Sequence, residues 1–152
     1  MRQTKRSIAT LVLGAALSVP LLASVTGCAA DGAKMAASSR AKVIFQVSDG
    51  DPKKWNLALN NARNVQNDLG KDKVDVEIVA YGPGIGMLKA TGPVEPRITG
   101  ALTNGVKVIA CENTMKKAKL TKADMVPGIG YVPAGVVEIM EKQREGWAYV
   151  RP

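Results

Sequence analysis

The amino-acid sequence predicts an α/β fold, a three-layer α/β/α sandwich built on a mostly parallel sheet of about five strands. Three observations carry this. Short runs rich in β-branched residues recur at Lys42–Val47, Val74–Ala80 and Val106–Cys111, each the length of a buried strand. Stretches with apolar residues at three- and four-residue spacing lie between them, bounded by Gly and Pro. The two kinds of segment alternate, the pattern of parallel strands joined by crossover helices.

The first 40 residues are of another kind. Arg2, Lys5 and Arg6 precede an apolar stretch, Ile8–Ala23, that Gly14 and Pro20 interrupt, and Val25-Thr26-Gly27-Cys28 follows. A charged start, a short apolar region and small residues make a secretory signal rather than a membrane span. The last four residues resemble a bacterial lipobox, whose cysteine is lipidated and becomes the mature N-terminus. Residues 1–27 are therefore expected to be a lipoprotein signal peptide, with Cys28 the lipid attachment that holds the protein to a membrane. An ordinary cleaved signal with an incidental Cys28 is the alternative. Ala29 stands where Asp would mark inner-membrane retention, so the expected location is the periplasm, anchored at the outer membrane. Residues 28–40, small and polar without periodicity, read as a tether.

The folded domain is expected over residues 41–152. Its first strand, Lys42–Val47, breaks at Ser48-Asp49-Gly50-Asp51-Pro52, where Asp51 is placed to cap a helix and Pro52 suits its first position. Trp55, Ala58, Leu59, Ala62, Val65 and Leu69 give that helix one apolar face, and Gly70 stops it. Asn56, Asn60 and Asn64 form a stripe beside that face. Asn is a poor helix former, so the stripe is either a solvated face or a set of side chains bonding a neighbouring loop or subunit, through Asn60 or Asn64.

The second strand, Val74–Ala80, runs into Tyr81-Gly82-Pro83-Gly84-Ile85-Gly86. Successive N–H groups in such a loop can face an anion, but position 87 is Met where a dinucleotide fingerprint needs Gly, and no Gly-Lys-Ser/Thr follows. A short helix is expected at Glu95–Asn104, opened by Pro96 and closed by Gly105. After the Val106–Cys111 strand come three polar residues, Glu112, Asn113 and Thr114, and then Lys116–Lys122 reads as basic and irregular. Thr121 and Asp124 are spaced to cap a turn. Pro127–Pro133 reads as a brief strand between turns. Ala134–Glu145 is expected to be a helix with Val136, Val137, Ile139, Met140 and Gln143 on or near one side, and Trp147–Val150 a final strand.

Composition removes whole classes of function. The chain of 152 residues has no histidine and two cysteines, Cys28 and Cys111. Ser–His–Asp and Cys–His catalysis are excluded, and so are His-ligated or multi-thiolate metal sites, so neither a metal nor a cofactor is expected. Lys and Arg number 21 against 13 Asp and Glu, but three of the basic residues fall in the leader and a single Phe offers no stacking platform. No nucleic-acid partner is expected.

Cys111 is the residue with chemistry left to do. Ligands of open α/β sheets bind just beyond the carboxyl ends of the strands, where Cys111 stands. A buried structural cysteine is the bland reading. With Cys28 lipidated, however, Cys111 is an unpaired thiol in an exported protein. Lys116, Lys117 and a nearby turn N-terminus are expected to favour its thiolate, and Glu112 to oppose it. Without a histidine base, attack on a disulfide or persulfide is the chemistry these residues support.

From Lys42 to Pro152 the chain resembles the DsrE/DsrF-like family, small α/β proteins that include sulfur-relay subunits. The likeness rests on the first strand with Asp51-Pro52-Trp55-Asn56, on Tyr81-Gly82-Pro83-Gly84, and on Ala110-Cys111-Glu112-Asn113-Thr114. The resemblance implies a persulfide carried on Cys111, a homo-oligomer (trimer or hexamer), and a sulfur-donor or acceptor protein as partner. The expected site is Cys111 as the reactive residue, lined by Asp49, Asn60, Tyr81, Gly82, Gly84, Glu112, Asn113 and Thr114. Its rival is a non-catalytic ligand-binding or assembly module in which Cys111 only lines the pocket. A structural lipoprotein without pocket chemistry is the third reading.

Overall fold

The computed structural model describes residues 40–152. The expected signal peptide, the Cys28 attachment site and the tether up to residue 39 lie outside the described residues. The described chain runs β1 (Ala41–Val47), α1 (Pro52–Leu69), β2 (Val74–Ala80), α2 (Glu95–Thr103), β3 (Lys107–Cys111), α3 (Glu112–Lys117), β4 (Gly130–Val132), α4 (Gly135–Arg144) and β5 (Ala148–Val150). Five strands form one sheet in the order β4-β3-β2-β1-β5, and every pairing is parallel. The sheet is thus wholly rather than mostly parallel.

Strand order fixes the layers. From β1 to β4 each step goes to the next strand on the same side, and right-handed crossovers put α1, α2 and α3 on one face. The last step returns across the sheet to the far side of β1, which puts α4 on the other face, against β1, β2, β3 and β5. The first face holds the main core: Phe45, Ile78, Met87, Leu88, Ile98 and Val108 are fully buried there with Trp55, Ala58 and Leu59 of α1. The second face buries only Ile44, Val79, Ile139 and Trp147 as a cluster.

Local chemistry accounts for the elements. Asp51 caps α1 by accepting the Lys53 N–H at 2.8 Å, and Trp55, Ala58, Leu59, Ala62 and Gln66 are buried at helical spacing. Leu69, expected on the apolar face, is instead 48% exposed in the last turn, before Gly70 takes a φ of 91°. Residues 82–88 form a 3-10 helix where the sequence suggested an open loop. Pro83 fits its first turn, and Ile85, Met87 and Leu88 tie it to the core. Thr121 and Asp124 do form a reciprocal cap on a short 3-10 turn.

Two expectations need correction. The stretch after Cys111 is not a polar break: residues 112–117 form α3, with Glu112 in its first turn, Lys116 and Lys117 in its last, and Met115 buried. That charge order complements the helix dipole, and Met115 joins the helix to the main core. The apolar side of α4 is also not the core side. Ile139 is buried, but Val136, Val137 and Met140 are 61%, 41% and 52% exposed. One helix covers this face, and among the described residues nothing packs on its outer side.

Candidate functional site

Cys111 ends β3, with Ala110 level with Ala80 of β2 and Cys111 itself level with Val132 of β4. Its backbone is still extended, so it serves as N-cap of α3 and its side chain lies beside that helix's first N–H groups. The chain leaving β4 passes over the same point. The carbonyl of Pro133 accepts the Asn113 N–H at 3.1 Å and lies 3.9 Å from Cys111 Sγ, within reach of the thiol proton. Two residues on, Gly135 begins α4. The starts of two helices therefore converge on one sulfur.

Gly135 makes the convergence possible. A β-carbon there would stand 3.1 Å from Val79 Cγ1 and 3.3 Å from the β-carbons of both Cys111 and Tyr81. Such a β-carbon would require these side chains or the start of α4 to give way by a few tenths of an ångström. Burial pushes the Cys111 thiol up, but the Thr114 hydroxyl and the backbone N–H groups of Gly135, Thr114 and Asn113 outweigh it. Cys111 ends below the ordinary thiol value. The Thr114 hydroxyl is itself aimed: the Gly82 N–H donates to Thr114 Oγ1 at 3.1 Å, which leaves the hydroxyl proton for sulfur. Gly82 reaches this position with a φ of 54°, and Gly84 follows so closely over β1 that a β-carbon would lie 2.2 Å from the Val47 carbonyl oxygen.

The structure brings together Cys111, Thr114, Gly82, the backbone of Asn113 and, through Gly135, Tyr81. Burial, then Tyr149, pushes the Tyr81 phenol up. Gly84 shapes the turn but faces β1. Asp49 stands beyond the end of β1, with β2 between that strand and β3. Its carbonyl accepts the Trp55 indole N–H at 2.6 Å and its carboxylate lies 3.6 Å from Arg151. Glu112 turns to Lys122 at 3.3 Å. Asn60 belongs elsewhere: its Oδ1 accepts from Arg97 of α2 at 2.7 Å. The reason is the helix register, which turns the Asn56 and Asn60 stripe toward α2 and not toward the sheet's carboxyl edge.

Lys116 and Lys117 are not what lowers the thiol. The cause is backbone N–H and one hydroxyl. Sequence reading missed Gly135 and Pro133, which stand 24 and 22 positions after Cys111. The only signal was a small residue at the foot of a helix that follows a brief strand. The hydrogen bonds favour the thiolate more than in a free thiol, while at 5% exposure the sulfur is shielded from solvent. Such a group can act as nucleophile and as leaving group toward another sulfur without a proton-accepting side chain.

Comparison with known proteins agrees with this architecture. Residues 41–152 match the DsrE/DsrF-like family. Among solved structures, a protein of unknown function from Methanobacterium thermoautotrophicum is 32% identical with a TM-score of 0.71, over 74% of this chain and 99% of that one. A conserved protein of unknown function from Bacteroides thetaiotaomicron (17% identity, TM-score 0.59, 73% and 94% coverage) shares the fold. So does the ychN protein of E. coli (9%, 0.59, 75% and 99%). No curated protein matches the chain.

Proposed function

The chain belongs to the DsrE/DsrF-like family, and on that premise we propose that it binds and transfers reactive sulfur as a persulfide on Cys111. One observation carries the reading: the sulfur lies where the first N–H groups of α3 and α4 and the Thr114 hydroxyl converge, with the thiol drawn below its ordinary value. In the forward step the Cys111 thiolate attacks the terminal sulfur of a donor persulfide. A new S–S bond forms, the donor's S–S bond breaks, and the donor leaves as a thiolate that takes up a proton. In the return step an acceptor thiolate attacks the terminal sulfur and Cys111 departs as thiolate. No net oxidation occurs, and the N–H groups favour the sulfur anion in both directions.

Treating the domain from Ala41 onward, which lacks Cys28, with a persulfide donor and weighing it intact tests this. The expected result is one added sulfur atom, absent from Cys111→Ser and passed on to an acceptor thiol. The slight exposure of Cys111 favours the rival, a ligand-binding or assembly module of the same fold. A thiol that stays unmodified in the native protein but reacts after unfolding would establish the rival.

The same proposal places the protein in the envelope, anchored through lipid on Cys28. Metabolic labelling with an alkynyl fatty acid, lost in Cys28→Ala, is the check. Assembly into a trimer or hexamer is supported by the exposed Val136, Val137 and Met140 of α4 and is read by light scattering of the leaderless protein.

A further inference from the structure

Among the described residues, sulfur transfer leaves the cleft between α1 and α2 unused. It encloses about 240 Å³ and reaches down to Val106, just ahead of β3, at the opposite end of the sheet from Cys111. Gln66 and Asn104, joined by a 2.9 Å hydrogen bond from the Gln66 amide to the Asn104 carbonyl, line part of it, and the other walls are of two kinds. Leu59, Ala62, Ala101 and Val106 are apolar, whereas Arg63 and Arg97 bring positive charge. No carboxylate lines it, and among the described residues neither arginine is paired with one.

Arg97 is held in place by neutral groups. One guanidinium nitrogen donates to Asn56 Oδ1 and the other to Asn60 Oδ1. Asn56 is oriented in turn, since its Nδ2 donates to the Pro52 carbonyl at 2.9 Å. Two amide oxygens fix the plane of the guanidinium without neutralising it, and they use two of its five N–H donors. This also explains the asparagine stripe: Asn56 and Asn60 position a cation, while Asn64 remains solvated. A half-buried, oriented, unneutralised arginine above an apolar wall is the arrangement that receives a carboxylate in a fork and packs the rest of the molecule beneath it.

We propose that the α1–α2 cleft binds a small amphipathic carboxylate, its carboxylate on Arg97 with Arg63 nearby and its short apolar body against Leu59, Ala62 and Val106. The size of the cleft sets the class. Drug-sized ligands occupy roughly 300–1,000 Å³, so this site takes a molecule of only several heavy atoms. Gly100 forms part of its mouth, and a β-carbon there would meet nothing within 4 Å, so a large side chain at this position plugs the cleft without disturbing α2.

The test is an NMR titration of the ¹⁵N-labelled protein with butyrate, 1-butylamine and inorganic phosphate. Butyrate is expected to saturate shifts of the Arg97 Nε–H and the Gln66 side-chain amide, with a Kd of about a millimolar to several millimolar for so few atoms. Arg97→Lys keeps the charge but loses the fork and should weaken binding at least about tenfold. Gly100→Leu should abolish it, and Cys111→Ser should leave it unchanged. Equal shifts with butylamine would overturn the site, and equal binding of phosphate would overturn the carboxylate class. Shifts that follow protein concentration instead of butyrate would mean that a second copy fills the cleft, and would overturn it too.

Discussion

The two faces of the sheet are built from alternate residues of the same strands, yet they differ in kind. Along β2, Val76, Ile78 and Ala80 join the large apolar core under α1 and α2, whereas Val79 joins the small cluster under α4. Glu77 also faces α4; the residue is 2% exposed, and its buried Oε1 has no hydrogen-bond partner. Glu138 and Lys142 of α4 and Lys107 of β3 are the charges around it. The first face secures the fold. The second is thin and carries an acid in place of an apolar side chain, and its one helix delivers the Gly135 N–H to Cys111. The bulk of the core thus lies on one face, whereas the thiol is tuned from both, by Thr114 and Asn113 of α3 on the first and by Gly135 of α4 on the second.

Truncation should show the largest contrast. Phe45→Ala, in the main core, is expected to cost about 4 kcal/mol, and Ile139→Ala, in the small cluster, about 2 kcal/mol. Urea unfolding measures both, and equal losses would erase the distinction between the faces.

The next effect is pH. Burial first, then the neighbouring Glu138, raises the Glu77 carboxyl from 4.5 to about 7, against the opposing pull of Lys142 and Lys107. Folding therefore takes up a proton between those values. The contribution of Glu77 to stability is complete below pH 4.5, falls as pH rises toward 7, and is lower above it by on the order of 2 kcal/mol. Glu77→Gln should flatten that slope and be the more stable protein at pH 8. An unchanged slope would mean that Glu77 already reaches water.

Smaller changes sharpen the link between α4 and the thiol. Gly135→Ala displaces a backbone N–H that favours the thiolate and Thr114→Val removes a hydroxyl that does so, and each should slow alkylation of Cys111 at neutral pH by about threefold to tenfold. The midpoint of the alkylation pH profile moves upward in both. The smallest effect is the most discriminating: Lys116→Ala with Lys117→Ala should leave that profile in place, because N–H groups and not ammonium groups set it.

Much of the fold was legible because it rests on local rules. β-branched runs marked β1 to β3, and Asp51-Pro52 marked the start of α1. α3 was not legible, since six residues are too few to show a period and its single anchor, Met115, gains meaning only from the sheet beneath. The position of Cys111 at a strand's carboxyl end was readable from pattern alone. Its tuning was not, because Gly135 reaches it through a crossover to the neighbouring strand. The asparagine stripe was visible, but its partner Arg97 is 37 residues beyond Asn60. Apolar spacing misled in α4, where Val136, Val137 and Met140 share a helix with Ile139 but not its buried side.

The strand order has a temporal side. Of the described strands β1 is made first, and one of its two edges waits for β5, which is made after the other four. A nascent chain that already holds β1 to β4 still exposes an unpaired parallel edge along Val43–Phe45, next to its best-packed core. Completion of the sheet therefore waits on the last described strand, and a chain cut before Ala148 keeps that edge of β1 open.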